Sequence, residues 1–282
     1  MVLNKDDYSM EVVKMKELIT KAQKYVCLNG SSLQKACMDY VSGSGDEQCI
    51  IKELSGYQNA DGGWANGLEI EYPGTASSPY TTAAALGHIS KFGLGDSDIF
   101  RNTLTYLKDT QCSNGMWDDP EKMLEFSHPP YMGPGIYPEY KTGMILKWLL
   151  RMNINDDIID RAQKYMLDKF EEVAPKNDFW SAVAYSGAFS LLPHIKEYPE
   201  IMQWSMKILL PEESQFGWQQ IMGMIEDDIP IPDSVLDLSI DLIRQKQEED
   251  GGWPHPFGTY NRVWSAIYIL RFLKNKGLAL KG

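Results

Sequence analysis

The chain predicts an all-α fold of about six helical hairpins. Three observations carry this. Apolar residues recur at helical spacing along most of the length, few stretches alternate with period two, and one turn motif repeats. In the motif a glutamine is followed six residues later by a tryptophan, with glycine between them. The copies are Gln58-Asn-Ala-Asp-Gly-Gly-Trp64, Gln111-Cys-Ser-Asn-Gly-Met-Trp117 and Gln247-Glu-Glu-Asp-Gly-Gly-Trp253. An internal repeat decides architecture before any local pattern does.

The elements follow in order. Helical spacing runs through Tyr8–Val26 and Leu33–Leu54, which lead into the first motif. Tyr80–Phe92 comes next and stops at Phe92-Gly-Leu-Gly. Ile99–Leu107 follows Asp96 and Asp98, whose carboxylates suit a helix start. Beyond the second motif come Tyr140–Met152, then Ile158–Phe170 after Asn155-Asp-Asp, Trp180–Leu192 and Ile201–Leu210. Val235–Ile243 follows Pro232-Asp-Ser, and Tyr260–Leu273 stops at Lys274-Asn-Lys-Gly277. Two degenerate copies extend the repeat: Trp180 after Lys176-Asn-Asp-Phe, and Trp218 after Glu213-Ser-Gln-Phe-Gly. Turn tryptophans then stand at 64, 117, 180, 218 and 253, about one helical hairpin apart. No Ser- or Pro-rich linker divides the chain, so residues 1–282 read as one domain.

Each part of the motif has a physical reason. A helix ends with carbonyls unpaired and the next begins with amides unpaired. Glycine allows the left-handed turn that stops the first helix. Aspartate or asparagine accepts from nearby turn amides. The glutamine amide ties the turn to an adjacent helix end, and tryptophan covers the junction while offering one N–H. All of this is structural work at the rim of a helical assembly.

The net charge of −12, with no run of lysine or arginine, argues against a nucleic-acid surface and against an anionic membrane. No stretch approaches the roughly 20 apolar residues that span a bilayer. Met1-Val-Leu-Asn-Lys-Asp-Asp-Tyr8 holds no apolar signal core, so the expected location is cytoplasmic. Cys27, Cys37, Cys49 and Cys112 form no C-x-x-C pair and the histidines no H-x-x-x-H spacing. They read as reduced thiols, with neither metal nor cofactor expected.

The motifs resemble the QW repeats of the squalene cyclase and protein prenyltransferase superfamily. The third copy, Gln247 to Trp253 with the helix Arg262-Val-Trp-Ser-Ala-Ile-Tyr-Ile-Leu270 after it, carries the resemblance best. The first, from Leu54 through Trp64 with Thr81-Thr-Ala-Ala-Ala-Leu86 following, is close behind. The resemblance implies an α/α toroid, an inner ring of helices inside an outer ring, with a small-molecule ligand in the central cavity. The family's chemical signatures are missing. No Asp-x-Asp-Asp acid occurs; Asn153-Ile-Asn-Asp-Asp157 and Glu226-Asp-Asp228 are the nearest strings. The helix that begins Tyr260-Asn-Arg262 has no cysteine to hold a prenyltransferase zinc. Asp-Gly-Gly-Trp also resembles a string of some α/α-toroid pectate lyases, so the resemblance does not choose the chemistry.

Four loops are longer or more aromatic than a turn requires. Asp118–Tyr140 holds five prolines and three tyrosines, and is expected to turn His128, Tyr131, Tyr137 and Glu139 toward a ligand. Ala65–Tyr80 offers Tyr72 and Tyr80 for binding, and Glu69 and Glu71 as an acid–base pair. Met222–Asp233 carries Glu226-Asp-Asp228, with Asp228 as the candidate carboxylate. Trp253–Tyr260 holds His255 stiffly between two prolines as an acid or base, and leads into Tyr260 and Arg262 as binding residues. The catalytic set is therefore His255, His128, Glu71 and Asp228.

Three functions remain open. The first, which the aromatic content favours, is an enzyme whose apolar, aromatic-walled cavity takes an isoprenoid or polyene, because aromatic faces stabilise developing cations. A polar cavity rich in Tyr, Glu and His would take a carbohydrate, for lyase or hydrolase chemistry. A non-catalytic module would bind a lipid or a protein, with acidity favouring a basic partner.

Overall fold

The computed structural model describes residues 5–209, 217–231 and 233–278. Among them are twelve α-helices and no strand, and none of the helices is long and apolar enough to cross a membrane. The residues gather into two compact units. One combines Met1–Glu53 with Gly217–Gly282, and the other is Leu54–Phe216.

The Leu54–Phe216 unit contains α4 (Pro79–Lys91), α5 (Asp98–Thr110), α6 (Pro138–Arg151), α7 (Asp157–Val173), α8 (Phe179–Phe189) and α9 (Tyr198–Leu209). These helices alternate in kind. α4, α6 and α8 are covered nearly all round, with Lys141–Leu149 and Ser181–Phe189 buried without a break. α5 and α7 bury one stripe each and turn charged residues outward, as amphipathic helices do. α4, α6 and α8 lie side by side and run the same way. Tyr80 near the start of α4 meets Tyr140 near the start of α6, and Gly87 farther along meets Trp148. Glycines set the spacing. A Cβ on Gly143 would stand 2.8 Å from Ala184 Cβ, and one on Gly187 would stand 2.7 Å from Lys147 Cδ.

The Met1–Glu53 and Gly217–Gly282 unit contains α1 (Lys5–Asn29), α2 (Ser32–Ser42), α10 (Trp218–Glu226), α11 (Asp233–Lys246) and α12 (Thr259–Asn275). α12 is buried from Val263 to Leu270 and packs on α1, α2 and α10. Gln34 Nε2 donates to Tyr260 O (3.0 Å) and Lys274 Nζ donates to Val41 O (2.8 Å).

The three turns have one geometry. In each, the glutamine Nε2 donates to the glycine carbonyl four residues on: Gly62 O (3.0 Å), Gly115 O (2.9 Å) and Gly251 O (3.0 Å). The same Nε2 donates to a carbonyl of another helix: Ile99 O on α5 (2.8 Å), Ile158 O on α7 (2.9 Å) and Leu18 O on α1 (2.9 Å). The turn glycine then presses on that helix three residues farther along. A Cβ there would stand 2.2 Å from Asn102 O, 2.1 Å from Arg161 O and 2.3 Å from Lys21 O, and φ is 85°, 92° and 94°. Both the left-handed backbone and the close approach demand glycine. Asp61, Asn114 and Asp250 each accept from the amide two residues on, as expected of Asx turns. All three tryptophans are fully buried. Trp117 and Trp253 donate to the carbonyl ten residues before them, whereas Trp64 donates to Thr103 Oγ1 (2.8 Å).

Several expectations need correction. The helix expected over 33–54 is two helices, α2 and α3 (Glu47–Ser55), broken at Gly43, whose φ is 81°. The apolar spacing continues across the break, but Gly43 ends α2 and Asp46 Oδ1 caps α3 by accepting from Cys49 N (3.0 Å). The loop expected from Met222 begins only after α10. Trp180 is no turn tryptophan: it is the second residue of α8 and is 41% exposed. At that corner Trp204 of α9 reaches back instead, donating from Nε1 to Ala174 O (2.9 Å). The sequence before Trp218 up to Phe216, Leu210 and the start signal at Pro232 lie outside the described residues.

His88, buried in α4, gives a pH signature. Burial, and then the nearby Lys91 charge, push its imidazole from 6.5 down to about 3. The unfolded chain takes up this proton as pH falls below 6.5 and the fold does not. The stability is present above 6.5 and is lost as pH falls toward 3. Denaturant titrations across this window should show a stability slope in the wild type that His88→Gln reduces by up to about 1.4 kcal/mol per pH unit. An unchanged slope would contradict the assignment.

Candidate functional site

The Leu54–Phe216 unit places one aromatic residue at the start of each of its three central helices. Tyr80 is the second residue of α4, Tyr140 the third of α6 and Trp180 the second of α8. Because the helices are parallel neighbours, the rings form a row. Tyr80 and Tyr140 centroids are 6.1 Å apart, and Tyr140 and Trp180 5.7 Å apart and near perpendicular. Phe179 extends the row at 5.4 Å from Trp180 and is, like it, partly open to solvent. The tilted and edge-on contacts hold the rings in place, and Trp180 at the end of the row is 41% exposed.

Carboxylates lie within electrostatic reach of Tyr80. Glu71 accepts from the Tyr131 hydroxyl. Burial raises the Tyr80 phenol well above its usual value, and Tyr140, Glu69, Tyr131 and Glu71 raise it further. Tyr131 is raised by burial first, then by its hydrogen bond to Glu71 and by the charges of Glu71 and Glu69. Both phenols stay protonated at neutral pH, and the Tyr131 O–H is committed to Glu71.

A buried ion cluster fixes the floor. Lys141 of α6 is 1% exposed and Asp119 4%. Lys141 Nζ donates to Asp118, to Asp119 Oδ2 (3.0 Å) and to Gly133 O (3.0 Å), which uses all three of its N–H bonds. Asp119 also accepts from Ser78 Oγ (2.6 Å), Tyr80 N (3.4 Å) and Gly133 N (3.1 Å). The cluster thus ties the Asp118–Tyr140 segment to the first turn of α4, directly under Tyr80. In the same turn Thr81 and Thr82 bury hydroxyls that lack a hydrogen-bond partner among the described residues.

A cleft of about 640 Å³ lies beside the first turn, lined in part by Asn59, Asp61, Ser77, Tyr106, Asp118 and Lys122. Its carboxylates already have structural partners. Asp61 accepts from Ser77 Oγ (2.7 Å) and Gly63 N (2.9 Å), and Asp118 pairs with Lys141.

The expected site residues fall into two groups and several have structural employment. In the Leu54–Phe216 unit, Tyr80, Tyr131 and Glu71 come together. Tyr72 does not join them: it is fully buried, donates to Ala76 O (3.1 Å) and packs with Ala65, Met123 and Met132 under the loop. His128 Nδ1 bonds Phe126 O (2.8 Å) within its own loop. Tyr137, with φ 45°, is the residue before α6, and Glu139 lies in the first turn of that helix. The other group belongs to the second unit. His255 Nε2 stands 3.6 Å from Glu226, whose carboxylate also accepts from Ser265 Oγ (2.7 Å). Asp228, at φ 51°, pairs with Arg271 (2.8 Å). Arg262 clamps the third turn, donating to Trp253 O (3.0 Å), Glu248 and Asp250 (3.0 Å) over the Tyr25 ring. The Tyr260 carbonyl is held by Gln34. Asp119, Lys141, Tyr140 and Trp180 were not anticipated as a group, although three aromatics at matching helix starts are a visible signal.

Among the described residues no group of three His, Cys, Asp or Glu side chains is placed to hold a metal ion. No family model and no curated protein matches the chain.

Lys141→Met would strand Asp118 and Asp119 without their counter-charge. Removing one partner of a buried ion pair costs about 3–5 kcal/mol, so urea unfolding should show a loss of that size. A loss under about 1 kcal/mol would mean the cluster is not holding the loop.

Proposed function

We propose that the chain is a single α/α toroid of the squalene cyclase and protein prenyltransferase type that binds a saccharide along the aromatic row. The repeat supports the toroid. The turn between α3 and α4 docks on α5, the turn between α5 and α6 on α7, and the turn between α11 and α12 on α1. Each docks on the next helix in order, and the last returns to the first, as a closed ring requires.

One observation carries the function: Tyr80, Tyr140 and Trp180 stand in a row, with the hydrogen-bonded Glu71–Tyr131 pair within electrostatic reach of Tyr80. Flat aromatic faces suit the apolar faces of sugar rings, and carboxylates and phenols suit their hydroxyls. A hydrocarbon laid on the same row would desolvate Glu71 with only the Tyr131 hydroxyl to compensate, which is costly. The carbohydrate branch therefore fits better than the isoprenoid one. Glu71, which accepts from the Tyr131 hydroxyl, is the carboxylate we assign to take a proton from a bound sugar.

Calorimetric titration with neutral oligosaccharides should detect binding, and Trp180→Ala should weaken it about tenfold through loss of one stacking face. Circular dichroism should be unchanged, because Trp180 is partly exposed. Binding of a polyprenol but of no saccharide, with the same dependence on Trp180, would overturn the reading.

A further inference from the structure

The first and third turns share more than their motif. Asp61 and Asp250 hold the same place in it, and each accepts through Oδ1 from the amide two residues on (2.9 Å in both). A tyrosine lies against each turn, seven residues beyond the carbonyl that the glutamine holds: Tyr106 beyond Ile99, and Tyr25 beyond Leu18. A Cβ on Gly63 would stand 2.7 Å from the Tyr106 ring, and one on Gly252 2.8 Å from the Tyr25 ring. The two turns differ in charge. In the third, one guanidinium nitrogen of Arg262 donates to both oxygens of Asp250 (3.0 and 3.1 Å), and the guanidinium lies 5.0 Å over the Tyr25 ring. In the first, Ser77 Oγ takes that position and donates to Asp61 Oδ1 (2.7 Å). No cation pairs with Asp61 among the described residues. The second turn has the neutral Asn114 in this place and needs none. Where the third turn has a guanidinium, the first has the cleft of about 640 Å³, with Asn59, Asp61, Ser77 and Tyr106 in its lining.

We infer that this cleft binds the arginine side chain of a peptide, whose guanidinium takes at Asp61 and Tyr106 the place that Arg262 takes at Asp250 and Tyr25. The group is planar, always charged and rich in donors, which suits a carboxylate beside an aromatic ring. Ser77 satisfies one lone pair of Asp61 and leaves its charge uncompensated. Asp118, also in the lining, is already paired with Lys141 and does not compete. The cleft is far larger than a guanidinium alone and has room for the residue that carries it. Lys122 lines the cleft without pairing with Asp61, and its charge opposes a cation. Tyr80, Tyr140 and Trp180 do not line the cleft, so this site and the aromatic row are separate.

The test is a calorimetric titration of the full chain with N-acetyl-argininamide, whose guanidinium is its only charge. Its citrulline and lysine counterparts and methylguanidine serve as comparisons. The arginine probe should bind about tenfold more tightly than the uncharged citrulline one, and more tightly than the lysine probe or methylguanidine. Asp61→Asn should abolish the preference over citrulline. Circular dichroism of that variant should be unchanged, because asparagine already fills the same turn position at Asn114. Lys122→Gln should tighten binding about threefold by removing a like charge. No saturable binding of the arginine probe would overturn the inference. So would equal affinity for any of the comparison compounds, full affinity in Asp61→Asn, or weaker binding in Lys122→Gln. Each of these results leaves the saccharide reading standing.

Discussion

The amide group of a turn glutamine holds this architecture together. From one nitrogen it donates to the glycine carbonyl of its own turn and to a carbonyl of the helix on which the turn docks. Gln58, Gln111 and Gln247 do this at nearly the same distances. Each net bond is worth about 1 kcal/mol, but an unmade one would leave a part-buried carbonyl unsatisfied. The glycine beside it has to be glycine, because its backbone is left-handed and the docked helix allows no Cβ. The tryptophan then seals the junction. Geometry, not the energy of any single bond, makes the unit repeat: the same three contacts fix how each hairpin meets the next helix.

The candidate site depends on that order. Parallel central helices bring three N-termini to the same level, so first-turn aromatics become neighbours although 40 or more residues separate them in sequence. The buried Asp119–Lys141 pair then sets the long proline-rich segment across the first of these termini. Desolvating that pair is costly, and its net contribution comes from completeness, since every N–H of Lys141 finds an acceptor.

Much of the fold was legible because its signals are local. Glutamine, glycine and tryptophan lie within seven residues, and the Gln–Gly bond spans only four. Helical spacing located most helices. It failed where one pattern served two structures: α2 and α3 share a continuous apolar spacing, and only Gly43 and the Asp46 cap divide them. It also failed at α10, where the apolar set Trp218, Ile221, Met222 and Ile225 is short and runs directly into the acidic string Glu226-Asp-Asp228. The site was less legible because its contacts are long-range. Asp119 and Lys141 are 22 residues apart, and Glu71 and Tyr131 are 60 apart. Tyr72 resembles its neighbour Tyr80 in sequence, but the loop folds it inward onto Met123 and Met132. Trp180 resembles a turn residue by its type and by the Asn-Asp pair before it. The missing glutamine and glycine before it were the informative feature.

The forward docking of the turns, ending on the first helix, is the claim on which the rest stands. Hydrogen–deuterium exchange of Gln247→Ala tests it most directly, because Gln247 and Leu18 are 229 residues apart in sequence. The account predicts that faster exchange appears together in the third turn and in α1 around Leu18 to Ala22. Faster exchange confined to the turn and α12, with α1 as protected as in the wild type, would contradict it.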